Sequence, residues 1–299
     1  MTQKVNLNQI ATETRNQNTL DLDRISPRQI ARKINNEDLV AARAVQKANK
    51  EIAQVMMMAA EAYAGKHKII FMGAGTSGRL GILEAVECVP TFGTKPSEII
   101  GIIAGGRKAI FRAQEGAEDS ATLGANDVTK NAKKGDLVVG LTASGRTPYV
   151  MGALKKAQQI GARTALISCN GWADTTNAEV HVFLPTGPEA LCGSTRMKAG
   201  TATKMALNAI TTGAMTLCGK TYHNLMIDVQ PTNLKLVARA TRLICEVAKT
   251  DEKTAAKLLK AAGQHVKTAV VMHCKKVNKK EAEKLLKKCN GFLTKVIDD

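Results

Sequence analysis

Two serine-bearing turns are the residues in this chain best suited to holding an anion. Gly73-Ala-Gly-Thr-Ser-Gly78 follows at once on the apolar run Lys68-Ile-Ile-Phe-Met72, and Arg79-Leu-Gly-Ile-Leu-Glu84 then resumes with helical spacing. The apolar run is long enough for a buried strand and too short for a helix. A strand, a glycine-rich turn and a helix start bring backbone N–H groups and the positive end of a helix to one point, where Ser77 adds a hydroxyl. The chemistry indicated is phosphate binding. Residues 137–147, Leu-Val-Val-Gly-Leu-Thr-Ala-Ser-Gly-Arg-Thr, repeat the plan, with Ser144-Gly145-Arg146 ahead of a helix opened by Pro148. One copy reads equally well as a tight turn with a capping serine. Two copies after two strands favour a shared site at one edge of a parallel sheet.

Gly73-x-Gly75-x-x-Gly78 also fits the dinucleotide fingerprint, which requires an acidic residue at the end of the second strand, roughly 20 residues on. Here the second strand candidate, Glu98-Ile-Ile-Gly-Ile-Ile-Ala104, ends in Gly105-Gly106-Arg107, and its acid lies at the wrong end. A nicotinamide or flavin cofactor is therefore not expected. A third polar turn, Leu191-Cys-Gly-Ser-Thr-Arg-Met-Lys198, opens another helix with Ser194, Arg196 and Lys198 in or near its first turn. Basic residues there oppose the helix dipole. Either something anionic lies alongside, or Ser194 caps the helix and both cations face solvent.

These turns need a sheet to position them. Apolar runs at 68–72, 98–104, 137–142, 164–168 and 180–184 predict five strands, with helices between them at about 78–88, 120–132 and 148–160. Strands alternating with helices predict a doubly wound parallel α/β sheet that binds ligands beyond the strands' carboxyl ends. Ahead of the sheet, residues 1–25 read as an arm with short helical pieces. Ser26-Pro27 then opens a short helix to about Ile34, and a long helix runs from Asp38 to about Ala64. After the sheet come helices at about 196–219, 233–248, 252–262, 265–273 and 280–289.

At 299 residues, 44% hydrophobic and 23% charged, the chain is that of a soluble globular protein large enough for a substantial core. The apolar runs are too short to span a bilayer, and the polar N-terminus lacks a signal core, so a cytoplasmic location without membrane contact is expected. Seven scattered cysteines without Cys-x-x-Cys pairs read as reduced, packed thiols, Cys88 among them, and not as a disulfide or zinc framework. The net charge is +17, and residues 251–299 hold twelve lysines against six acids. With 3% aromatics and no recognition helix or finger, solvated helix faces explain this better than nucleic-acid binding.

The sequence resembles the N-acetylmuramic acid 6-phosphate etherases of bacterial cell-wall recycling, members of the sugar isomerase (SIS) fold group. The resemblance rests on Gly73-Ala-Gly-Thr-Ser-Gly-Arg-Leu-Gly-Ile-Leu83, Glu87-Cys88 with Pro90-Thr-Phe-Gly93, Ile103-Ala-Gly-Gly106 and Glu115-Gly-Ala-Glu-Asp-Ser120. It continues in Ala143-Ser-Gly-Arg-Thr-Pro-Tyr149, Ser194-x-Arg-Met-Lys-Ala-Gly-Thr201 and Asn224-Leu-Met-x-Asp-Val229. It covers nearly the whole chain. The resemblance implies a five-stranded SIS sheet flanked by helices with a small C-terminal helical domain. Its divisions are an N-terminal arm and short helix over 1–40, a sugar-phosphate-binding domain over 41–245 and a helical domain over 246–299.

It also implies hydrolytic loss of D-lactate from N-acetylmuramate 6-phosphate by elimination and then water addition. Glu118 is implied as the base for the carbon 2 proton and Glu87 as the acid that helps lactate leave. Ser77 and Ser144 are implied as phosphate contacts, with Thr76 and Thr147 beside them and Ser194 lining the sugar site. Glu84, where the family usually has aspartate, either supports Glu87 or faces solvent. Arg79 and Arg146 receive no role. No metal or cofactor is implied, the partner is a small sugar phosphate, and the fold suggests a homodimer. Val86 and Val89 depart from the family's usual residues around Glu87. A non-catalytic sugar-phosphate sensor, as in the regulator of glucokinase, and a SIS transcription regulator are the rival readings.

Overall fold

Five runs dominated by Ile, Val and Leu form β1 (Ile69–Gly73), β2 (Ile99–Ile103), β3 (Leu137–Thr142), β4 (Arg163–Ser168) and β5 (Val180–Phe183). In the computed structural model, which describes residues 10–231 and 233–298, all pair in parallel in the order β2-β1-β3-β4-β5. Every residue of β1 and β3 is buried, as unbroken apolar runs require of central parallel strands covered on both faces. In this strand order the winding reverses between β1 and β3, and the crevice at such a reversal is where doubly wound sheets take ligands. The two serine turns follow β1 and β3. Gly73 at the end of β1 is in register with Leu141 near the end of β3.

The chain divides into two compact units, Met1–Ala85 with Ser97–Thr211 and Val86–Pro96 with Thr212–Asp299. In the first, helix α3 (Gly75–Phe92) starts on the sheet at very close range. A methyl at Gly78 would fall 2.6 Å from the Gly73 carbonyl oxygen, and one at Gly101 of β2 would fall 2.5 Å from the Ile82 backbone. The short helix α4 (Arg107–Phe111) follows β2. Helices α5 (Ala121–Asn131) and α6 (Pro148–Gln159) touch backbone to backbone as closely as α3 and the sheet. A methyl at Gly124 would lie 1.9 Å from the Tyr149 carbonyl oxygen, and one at Gly152 would lie 2.1 Å from that of Ala121. After β5 comes the long helix α7 (Lys198–Leu217).

The N-terminal helices differ from the sequence expectation. One helix, α1, runs Pro27–Lys47, and α2 runs Asn49–Ala64, with the break at Ala48 instead of between residues 34 and 38. Asn is a weak helix former, yet Asn35 and Asn36 lie within α1. The Glu37 carboxylate is buried, ion-paired to Lys198 and bonded by the side-chain amides of Asn16 (2.7 Å) and Asn18 (3.1 Å). Burial alone would raise the Glu37 carboxyl. The Lys198 ammonium and the amides of Asn18 and Asn16 outweigh it and hold the carboxyl below its ordinary value. A depressed carboxylate stabilises the fold fully above its unfolded value, and that contribution is lost as pH falls through the folded one. Lys198→Met should cost about 3–5 kcal/mol because it strands a buried carboxylate, and adding Glu37→Gln should restore much of it. Urea unfolding of both variants at neutral pH checks this. Equal stability of the single and double variants would contradict it.

The second unit carries α8 (Leu234–Ala248), α9 (Glu252–Ala261), α10 (Val266–Lys275), α11 (Lys279–Lys288) and α12 (Thr294–Ile297). They enclose a core that includes Ile227, Ile244, Val270 and Leu293. Its buried Lys267 is paired to Asp228 at 2.9 Å and donates to the carbonyls of Gly219 (3.2 Å) and Gly291 (3.1 Å). The other lysines beyond residue 250 are exposed, so the basic tail is a set of solvated helix faces. No described helix is long and apolar enough to cross a membrane. The described residues hold no group of three or more His, Cys, Asp or Glu that could bind a metal ion.

Candidate functional site

The first turn is part of α3 itself. The helix begins at Gly75, so Gly75, Thr76 and Ser77 supply first-turn N–H groups that have no i−4 carbonyl within the helix. Gly78 donates its own to the Ala74 carbonyl at 3.2 Å. Gly75 has φ +53°, and apart from its chain neighbours and the backbone of its own helix no heavy atom lies within 4 Å of where its Cβ would be. An anion can therefore approach the backbone there. Thr76 and Ser77 are half-buried, and the Thr76 methyl lies against Gly200 of α7.

The second turn is built from hydroxyls. Thr142, at the end of β3, shares hydrogen bonds with Thr147 Oγ1 (2.7 Å) and Ser144 Oγ (3.3 Å), and its oxygen accepts from the Gly145 N–H at 3.3 Å. The Arg146 N–H donates to Ser144 Oγ at 3.3 Å. Thr147 precedes α6 without a side-chain cap bond, its hydroxyl being held by Thr142 instead. The arrangement orients Ser144 and Thr147 before any ligand is present, at the positive end of α6.

The third turn answers the question its cations raised. Ser194 is half-buried and does not cap α7. The first amides of that helix, Lys198 N–H and Ala199 N–H, donate at 2.8 and 2.9 Å to the carboxylate of Glu189, which is fully buried. Burial pushes the Glu189 carboxyl up, opposed by those two amides and by Lys198. The anion beside this helix is thus internal. Lys198 is not in solvent either, since it meets Glu37, while Arg196 is exposed. The buried acids that satisfy this turn are not its sequence neighbours in any motif, which is why spacing did not show them.

Glu118 is exposed in a 3-10 turn, Ala117–Asp119, that is pinned on both sides. Ala117 packs against the cluster containing Tyr149 and Val150 of α6. Ser120 Oγ caps α5 by accepting from the Leu123 N–H at 3.1 Å. The buried Tyr149 hydroxyl donates to Asp127 of α5 at 2.7 Å. Burial and that carboxylate push the phenol well above its ordinary value, so it remains a donor. Helix α6, which the Ser144 turn opens, and the Glu118 turn are therefore tied to one another.

Glu84 is buried, ion-paired to Lys204 and bonded by the Thr211 hydroxyl, so it does not face solvent. Glu87 comes three residues later on α3, exposed, in the part of the helix that belongs to the second unit. A cavity of about 380 Å³ opens beside β2, lined by Ile82, Ile103, Arg107, Ile110 and Leu123 among others. Its lining includes none of the residues predicted for the site.

Comparison with known proteins adds a family match, two close relatives and a structural likeness. The family model described as the glucokinase regulatory protein N-terminal SIS domain matches residues 50–158. A Listeria welshimeri protein named N-acetylmuramic acid 6-phosphate etherase is 49% identical over 293 residues, 97% of this chain and 99% of that one. A Photorhabdus laumondii protein of the same name is 46% identical over 298 residues, 98% of each chain. Among solved structures, an E. coli CFT073 protein captured in a ligand complex superposes with a TM-score of 0.50 at 16% identity, over 67% of this chain and 97% of that one. That likeness supports the fold.

Proposed function

The chain belongs to the N-acetylmuramic acid 6-phosphate etherases, and on that premise we propose how its residues divide the work of cleaving the lactyl ether. The observation that carries the activity is the near full-length identity to relatives of that name. Support for the phosphate site is the pair of serine turns at the sheet's reversal point, with Ser77, Ser144 and their neighbours Thr76 and Thr147 as the hydroxyls offered to the 6-phosphate. Ser194 is assigned to the sugar.

In the open-chain sugar the proton on carbon 2 is alpha to the aldehyde and acidic enough for a carboxylate to remove. Glu118 takes that proton. Glu87, protonated, gives its own to the ether oxygen on carbon 3 as lactate departs from the same face, a syn elimination. Water then adds across the alkene, oxygen to carbon 3 and proton to carbon 2, giving N-acetylglucosamine 6-phosphate. The sum consumes one water and releases one D-lactate. Chemistry of this kind needs one ionised and one protonated carboxyl, hence two different surroundings. A cytoplasmic homodimer is part of the same reading, as is a substrate limited to a small sugar phosphate.

The test is to incubate the protein with N-acetylmuramate 6-phosphate in heavy-oxygen water. D-lactate should appear, with the label in the sugar. Label in the lactate would refute the elimination route. A second reading, a sugar-phosphate sensor, draws on the match to the regulatory protein's SIS domain. It predicts no lactate while the sugar phosphate still raises the melting temperature.

A further inference from the structure

We propose that Arg79 and Arg146, the arginines of the two Ser-Gly-Arg turns, are positioning residues that each clamp the loop after the strand next outward from their own. Arg79 Nε donates to the Ile110 carbonyl at 2.9 Å, and Arg146 Nε donates to the Trp172 carbonyl at 3.1 Å. The two bonds occupy equivalent places in the fold. Arg79 follows β1 and reaches the loop after β2, its neighbour on one side. Arg146 follows β3 and reaches the loop after β4, its neighbour on the other. A guanidinium is always charged and its donors form a rigid fork, so a carbonyl held by Nε is held at a fixed angle.

What the first clamp holds is a segment with little rigidity of its own. Between β2 and Glu118 lie three glycines in the left-handed region, Gly105 (φ +84°), Gly106 (φ +66°) and Gly116 (φ +78°), with the five-residue α4 between them. Such a stretch opens easily unless something outside fixes it. Ile110 lies between the second and third of these glycines, and its carbonyl is the point that Arg79 grips. The second clamp is reinforced. Asn170 Nδ2 donates to the Ser144 carbonyl at 3.1 Å and the Asp174 N–H to the Gly145 carbonyl at 3.0 Å. Trp172, the chain's one tryptophan, is left 71% exposed on that loop. The guanidinium groups thus serve the loops that flank the phosphate turns, and through Arg79 the loop that ends in Glu118.

The inference deepens the proposed etherase reaction and rests on it for the kinetic consequence. Arg79→Ala should lower kcat for lactate release, and exchange of the carbon 2 hydrogen with heavy water, roughly 10- to 100-fold, the usual cost of misplacing a reacting group by about an ångström. KM should stay within about threefold, and N-acetylglucosamine 6-phosphate should raise the melting temperature as in wild type. A KM raised tenfold or more with kcat unchanged would make Arg79 a phosphate ligand and overturn the clamp. Two readouts do not depend on activity. Amide exchange in Arg79→Ala should quicken over residues 105–118, and Arg146→Ala should shift the emission of Trp172, which has no other tryptophan to mask it. If wild type releases no lactate, the etherase reading fails, and these two signals still decide the clamp. Unchanged exchange and unchanged emission would end it.

Discussion

Glu118→Gln should reduce lactate release by roughly 10²–10⁴-fold, the range for losing a general base. It should also abolish exchange of the carbon 2 hydrogen with heavy water, because both measurements begin with the same proton abstraction. Glu87→Gln should slow lactate release by a similar factor and leave carbon 2 exchange running, since the proton is removed before the leaving group needs its acid. The two variants therefore separate the steps. Glutamine is close in shape to glutamate, and both glutamates are exposed, so the folds should stand and a sugar phosphate should still raise their melting temperatures. Following carbon 2 deuterium and D-lactate in one reaction reads both. Carbon 2 exchange surviving in Glu118→Gln would remove Glu118 from the base's role. Full lactate release by Glu87→Gln would remove Glu87 from the acid's.

A large effect on stability is also expected at a residue with no chemistry. Gly124→Ala would put a methyl 1.9 Å from the Tyr149 carbonyl oxygen, with the Ala153 amide nitrogen at 3.1 Å on the same side. These are backbone atoms of a helix, which cannot turn away as a side chain does. Either α5 and α6 separate or the α6 turn distorts, and both break the Tyr149–Asp127 bond and the packing around Ala117. A loss of at least about 3 kcal/mol follows, at the upper end of overpacking costs. Gly187→Ala is the control. Its φ is positive (+66°), but nothing lies within 4 Å of its would-be methyl, so its cost should be near the backbone term of about 1 kcal/mol. Denaturant unfolding of the two proteins gives the comparison, and equal losses would show that crowding at Gly124 is relieved cheaply.

The sheet was legible in the sequence because its strands are unbroken apolar runs between turn residues. All five fall within a residue or two of the expected positions, and helices α5 to α11 do nearly as well, while the short α12 was not expected. The same local signals misjudged the N-terminal helices. Asn35 and Asn36 are weak helix formers, yet both lie inside α1, and Glu37 beside them is buried against Lys198, far along the chain. Glu84 and Lys198 were ambiguous for one reason. A charged residue on a helix is ordinarily solvated, and only a distant partner of opposite charge, Lys204 for one and Glu37 for the other, takes it inside. The serine turns could be found because their geometry is written in consecutive residues. The arginines beside them could not be assigned, because what they hold lies on another loop.

One topological fact bears on how the molecule is made. The segment Val86–Pro96 belongs with Thr212–Asp299, and at Gly93 the backbone runs so close to Asp228 that a methyl would sit 2.8 Å from its carbonyl oxygen. A ribosome releases this segment long before it makes those partners. Until then the nascent chain carries Cys88 and Phe92, both buried in the finished protein, with their own unit still unmade. The sheet unit has all its residues once Thr211 has emerged, whereas the helical unit still waits for the helices that follow. A premature stop among helices α8 to α12 is therefore no harmless trimming, because it orphans a segment synthesised more than a hundred residues earlier.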